Sequence, residues 1–215
     1  PSIVKWPNTS NEGLVSTELV SLIDIFPTIL EATGSRPAPN LPGRSLVPLL
    51  KGKSPEWRQY LFTEFHIHSA HNFYPQRTIQ DRRYKLILNL MPGRVNPGYN
   101  FTNNRFFDDL IKTIDGAEEP IRSAYLNMER PPALELYDLE ADPYEFNNLA
   151  GKPEHAQTQS RLQQELQSWR EKTKDPMLNH QNVLRLKAEV DACMVDGQPD
   201  KSKLTLTYPD YFFED

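Results

Sequence analysis

The densest group of chemically capable side chains in this sequence is Glu64-Phe65-His66-Ile67-His68-Ser69-Ala70-His71, followed closely by Asn72, Tyr74 and Arg77. It holds three of the chain's five histidines. On a strand His66 and His68 share a face, because side chains alternate with period two. His-x-His is therefore a potential chelate, and His-x-His-x-x-His resembles the spacing of dinuclear metallohydrolases. Alanine at 70 stands where such a motif carries aspartate, and His155 and His180 are the only later imidazoles. A plainer alternative has the histidines capping a strand end. The reading that uses every group is a substrate-contacting loop. Imidazoles, a phenol and a guanidinium at a strand end suit an anionic, polyhydroxylated ligand. His66, His68, His71, Tyr74 and Arg77 are the candidate substrate-binding residues, and no residue is assigned to catalysis or to a metal.

Other constellations carry less. Gly43-Arg44-Ser45 either binds an anion or ends a turn. Asp108-Asp109 reads as a solvated pair, and Glu135, Asp138, Glu140 and Asp142 lack the spacing of a calcium loop. No phosphate loop, nucleophile elbow or His-Glu-x-x-His helix occurs. Cys193 is the sole cysteine, which rules out an intrachain disulfide and reads as a packing residue. Net charge is −5, with acidic and basic side chains interspersed, which argues against nucleic acid as a partner. No apolar run approaches the roughly 20 residues of a membrane span.

The elements that must position the histidine cluster are legible in outline. Ser2–Trp6 reads as a short strand. Thr17 to Gly34 carries an amphipathic helix pattern (Leu19, Leu22, Ile23, Phe26, Leu30), with Thr17 as N-cap and Pro27 kinking or dividing it. Ser45–Leu50 reads as a short apolar turn or helix ending at Gly52. Tyr60–Phe65 reads as a strand, and Thr78–Gln80 with Tyr84–Leu90 as a hairpin about Asp81-Arg82. Arg105–Ile114 is helical in pattern, and Leu134–Leu139 is a further strand. Lys152–Lys174 is a long helix with Leu162, Leu166 and Trp169 on one face. The sum is α+β: antiparallel strands covered by a long helix, after a strand–helix segment.

Five stretches, in order, resemble the sulfatase family of the alkaline phosphatase superfamily. They are Pro1–Pro7, Glu18–Leu30, Leu41–Leu50, Arg83–Ile87, and Glu135–Pro143 with Asn147–Ala150. Tyr74-Pro-Gln-Arg77, His68 upstream, the long segment Asn89–Arg130 and Trp169–Pro176 resemble the heparan N-sulfatases within that family. The resemblance implies the C-terminal part of a sulfatase-like α/β fold. Residues 1–55 would close the catalytic domain, 56–175 would form the C-terminal subdomain, and 176–215 an extended tail. It also implies hydrolysis of sulfate esters or sulfamates on glycosaminoglycan-type glycans, by a formylglycine nucleophile and calcium. Neither is matched here. Cys193 lies in Ala-Cys-Met-Val-Asp, outside the family's nucleophile motif, so both would belong to an N-terminal catalytic half. The implied partners are that half and a sulfated glycan, with no nucleic acid and no membrane. The implied setting is lysosomal, periplasmic or extracellular. A phosphoesterase or phosphonate hydrolase of the same superfamily, and a non-catalytic glycan-binding module, are the rivals.

Overall fold

The computed structural model describes residues 2–36, 39–67, 73–96, 112–195, 198–203 and 205–212. His68, His71, Asn72, Asp108, Asp109 and most of the expected helix Arg105–Ile114 lie outside them. Contacts divide the chain into two units, Pro1–Leu61 and Phe62–Asp215.

In the first unit a 3-10 turn, Leu22–Asp24, runs into helix α1, Ile25–Ala32, and a second short helix α2 spans Val47–Leu50. The helix expected from Thr17 starts later. Its true N-terminal signal is Ser21, whose N–H donates to Asp24 Oδ2 at 2.8 Å. Pro27 then falls in the first turn of α1, where no intrahelical N–H is needed, so it does not break the helix. Ser2–Trp6 joins no ladder among the described residues, against the expectation of a strand. Asp24, fully buried, organises this unit. It takes Arg58 Nη1 at 2.8 Å and Nη2 at 2.5 Å, and the Arg44 N–H at 2.8 Å. Gly43-Arg44-Ser45 is thus a turn closing on an internal carboxylate. Gly43 is required there because a Cβ would sit 2.0 Å from the Ile23 carbonyl oxygen. Leu22, Phe26 and Ile29 leave an apolar stripe exposed within this unit.

The second unit is built on a four-stranded sheet of order β1-β2-β3-β4: Leu61–Ile67, Phe73–Gln80, Tyr84–Asn89 and Leu134–Asp138. The expected hairpin forms. Asp81 Oδ1 accepts the N–H groups of Arg83 and Tyr84 at 2.8 and 2.6 Å, and this tight turn sets the antiparallel register. Ile79, Leu86 and Leu136 lie side by side across β2, β3 and β4 and are completely buried. The long helix packs on β2 and β3. It runs Ala156–Lys172 after a 3-10 turn Pro153–His155, buries Leu162 and Leu166, and stacks Trp169 on Phe62 at 5.0 Å. A shorter helix, α3 (Ile121–Glu129), precedes β4, so the long helix is α4.

Beyond Pro176 the chain is not an extended tail. Asp175 and Asn179 cap a 3-10 turn, Pro176–Leu178, and helix α5, His180–Ala192. Tertiary burial holds this helix: Val183, Leu186 and Val190 close a core with Phe73, Met177, Cys193 and Tyr211. Cys193 is buried packing, as its sequence context indicated. No helix among the described residues is long and apolar enough to cross a membrane.

Candidate functional site

β1 and β2 are neighbouring strands of the sheet, and the candidate stretch Glu64–Arg77 runs in sequence from the one to the other. Its described members are held from beneath. Arg77 is completely buried, facing the long helix from β2. Its Nε and Nη2 donate to Asp175 Oδ2 and Oδ1 at 2.8 and 2.6 Å, a bidentate pair, and Nη1 donates to the Gln76 carbonyl at 2.9 Å. The same carboxylate accepts from Arg170 Nε at 2.6 Å and from the Met177 N–H at 3.0 Å. Burial alone would raise the pKa of Asp175. The hydrogen bonds and charges of the two arginines outweigh that, and its carboxyl is held below the usual range. Glu64 adds a longer contact to Arg77 Nε, 3.6 Å. The guanidinium is therefore committed inside the subdomain, where it ties the start of the sheet to the end of α4.

His66 lies beside this pair. The Tyr208 hydroxyl stands 3.0 Å from its Nε2, with ring centroids 4.6 Å apart. Burial and the Arg77 charge push the His66 pKa down to about 4, against the weaker pull of Asp175, so the imidazole is neutral at pH 7. The linkage sign is definite. Below about pH 6.5 the unfolded chain takes up a proton that the folded one refuses, so stability falls as pH drops from 6.5 toward 4. We expect the melting temperature of a His66→Asn variant to fall by several degrees less than wild type between pH 7 and 4.5. Parallel pH profiles, measured by differential scanning fluorimetry, would refute this.

Tyr74 shows 2% exposure and points to the opposite sheet face from Arg77. Burial, aided by Glu135, pushes its pKa up to about 12, and its hydroxyl has no hydrogen-bond partner among the described residues. The structure thus gathers His66 and Arg77 with Tyr208 and Asp175, and places Tyr74 apart from them. Sequence reasoning missed Asp175 and Arg170. Their signal was present: Asp175 precedes a proline at a helix start, an N-cap signature, and Arg170 lies five residues earlier.

The formylglycine and calcium implied by resemblance do not fit the described residues. The buried carboxylates Asp24 and Asp175 are neutralised by arginines, and Asp138 by Arg83 at 2.7 Å. No group of three or more His, Cys, Asp or Glu among the described residues is arranged to hold a metal. The Cys193 thiol contacts the Glu189 and Lys203 carbonyls at 3.1 and 3.2 Å, deep in packing.

A family model described as "N-sulphoglucosamine sulphohydrolase, C-terminal" matches residues 1–94. The chain is 34% identical over 194 residues to the N-sulphoglucosamine sulphohydrolase of Homo sapiens, covering 82% of this chain and 37% of that protein. It is 33% identical over 172 residues to an ulvan-active sulfatase of Formosa agariphila, covering 79% of this chain and 32% of that one. The structure of a putative sulfatase from Bacteroides thetaiotaomicron shares the fold, with a TM-score of 0.50 at 22% identity over 72% of this chain and 25% of that one. The chain spans about a third of the length of these curated relatives. Sheet, covering helix and matched segments agree: the chain belongs to the sulfatase family, in the family's C-terminal region.

Proposed function

We propose that this chain is the substrate-side portion of a sulfatase that hydrolyses sulfate esters or sulfamates on glycosaminoglycan-type glycans. The observation that carries the reading is the Arg77–Asp175–Arg170 lock on β2. This buried charged triad anchors the strand that follows, in sequence, two further imidazoles, His68 and His71. In this reading those two contact the sulfated sugar. His66, Tyr74 and Arg77 are the frame that sets the loop's position. Relatives whose names specify an N-sulphoglucosamine sulphohydrolase and an ulvan-active sulfatase support a sulfated polysaccharide as substrate. The nucleophile and calcium reside elsewhere in the longer protein, whose catalytic half seats on the exposed apolar stripe of α1. The setting is lysosomal, periplasmic or extracellular.

The test is kinetic. In the longer protein, His68→Ala and His71→Ala should each lower kcat/KM for a heparin-derived oligosaccharide about tenfold to a hundredfold, the loss of one or two hydrogen bonds to a charged group, with Tm unchanged. Unchanged kinetics in both would remove the loop from the site. Faster turnover of a phosphonate or phosphodiester than of any sulfated glycan would overturn the sulfatase assignment.

A further inference from the structure

The sheet face opposite α4 carries a second, separate cavity of about 320 Å3, at the lower end of small-ligand pockets. Its floor is Gln76 on β2 and Glu135 on β4. Its walls are Tyr125 of α3 on one side and Tyr144 and Phe146, after β4, on the other. Glu135 is buried, yet its carboxylate has no cationic partner among the described residues. Oε2 accepts from the Tyr137 hydroxyl at 2.6 Å and Oε1 from Asn89 Nδ2 at 2.7 Å. Asn89 in turn accepts from Gln76 Nε2 at 2.8 Å. A carboxylate offers about four acceptor positions, so Glu135 keeps capacity for an incoming hydroxyl. Rings stand at the mouth: Tyr144 is 76% exposed and lies 5.7 Å from Phe146, nearly parallel to it. An exposed aromatic pair over buried acceptors and amides matches a sugar ring, apolar on its C–H faces and hydroxylated at its edge.

The charge pattern narrows the ligand. Glu135 and Glu145 line the cavity, and no lysine or arginine does. Lys85 neutralises Glu145 at 2.8 Å, which leaves Glu135 as the uncompensated charge. A sulfate group placed there would meet a carboxylate in a half-dry site, which is repulsive. We infer that this cavity is a glycan-holding subsite for a sugar residue without sulfate, lined by none of the candidate histidines. Its ligand class rests on the glycan reading above. Such a site would retain a polymer by an unsulfated unit, and two linked contacts raise the effective concentration of the chain.

The experiment is titration of the full chain carrying His68→Ala and His71→Ala, which removes the sulfate contacts proposed above, with unsulfated heparosan hexasaccharide and with its N-sulfated counterpart, by calorimetry or saturation-transfer NMR. The unsulfated form should bind at least fivefold tighter. Tyr144→Ala and Tyr125→Ala, separately, should weaken it about tenfold while leaving the melting curve in place. Equal or tighter binding of the sulfated form, or unaltered affinity in both variants, overturns the proposal. Should one variant misfold, the other decides. The readout needs no turnover, so loss of this subsite and failure of the sulfatase reading are seen in different assays.

Discussion

Asp175→Asn should destabilise the second unit by about 3–5 kcal/mol, the cost of breaking a buried ion pair from one side. The carboxylate is shared by two guanidiniums, one of them completely buried. An amide at that position leaves Arg170 without its carboxylate and Arg77 with only the longer contact to half-exposed Glu64. Arg77→Met and Arg170→Met should each cost less than Asp175→Asn, because either leaves Asp175 one arginine. That ordering separates a shared hub from two independent pairs. Urea denaturation of the three variants provides the check, and a loss below about 1 kcal/mol for Asp175→Asn would show that the triad contributes nothing net. Arg77→Lys should rescue poorly, since an ammonium cannot reproduce the bidentate contact.

Asp24→Asn should have a comparable effect on the first unit. Four donors converge on Asp24: two from Arg58 and the N–H groups of Ser21 and Arg44. An amide nitrogen facing any of them replaces an acceptor with a donor, and leaves Arg58 partly buried without its charge partner. We expect a loss of about 3–5 kcal/mol from the same one-sided breakage, seen as amide exchange at Ser21 and Arg44 rising by orders of magnitude. Retained protection at both would place the organising contact elsewhere. Burial would raise the Asp24 pKa, but Arg58 and the two N–H groups outweigh it and hold it low. This unit should therefore loosen as pH falls below the ordinary carboxylate range.

The two aspartates also show what the sequence could and could not reveal. The Asp81 hairpin, the strands flanking it and the Leu162/Leu166 helix face were all legible, because turn chemistry and periodicity are local signals. The start of α1 was misplaced. Leu19 and Val20 extend the apolar pattern backward, while the reciprocal Ser21–Asp24 contact sets the boundary. The region after Pro176 looked extended because its helix pattern is weak, and burial of Val183, Leu186 and Val190 decides it. Arg77 was identified as a binding cation from its neighbours alone. Its carboxylate stands 98 residues away, and no local pattern reports such a partner. Asp175 and Arg170 were missed for the same reason, since their contact with Arg77 joins distant parts of the chain.

That separation of 98 residues bears on how the molecule is made. β2 emerges early in synthesis with a guanidinium that belongs in the interior, and its neutralising partner arrives only after α4 is complete. Until then Arg77 has only the longer contact to half-exposed Glu64 to offset its charge. The β2–β3 hairpin should consequently form loosely at first and dock late, since closing so long a loop precedes any electrostatic reward. A chain interrupted before Asp175 would keep most of its apolar surface and still lack the contact that lets the sheet close. The early strands of the second unit should therefore dock only once the segment that follows α4 has been made.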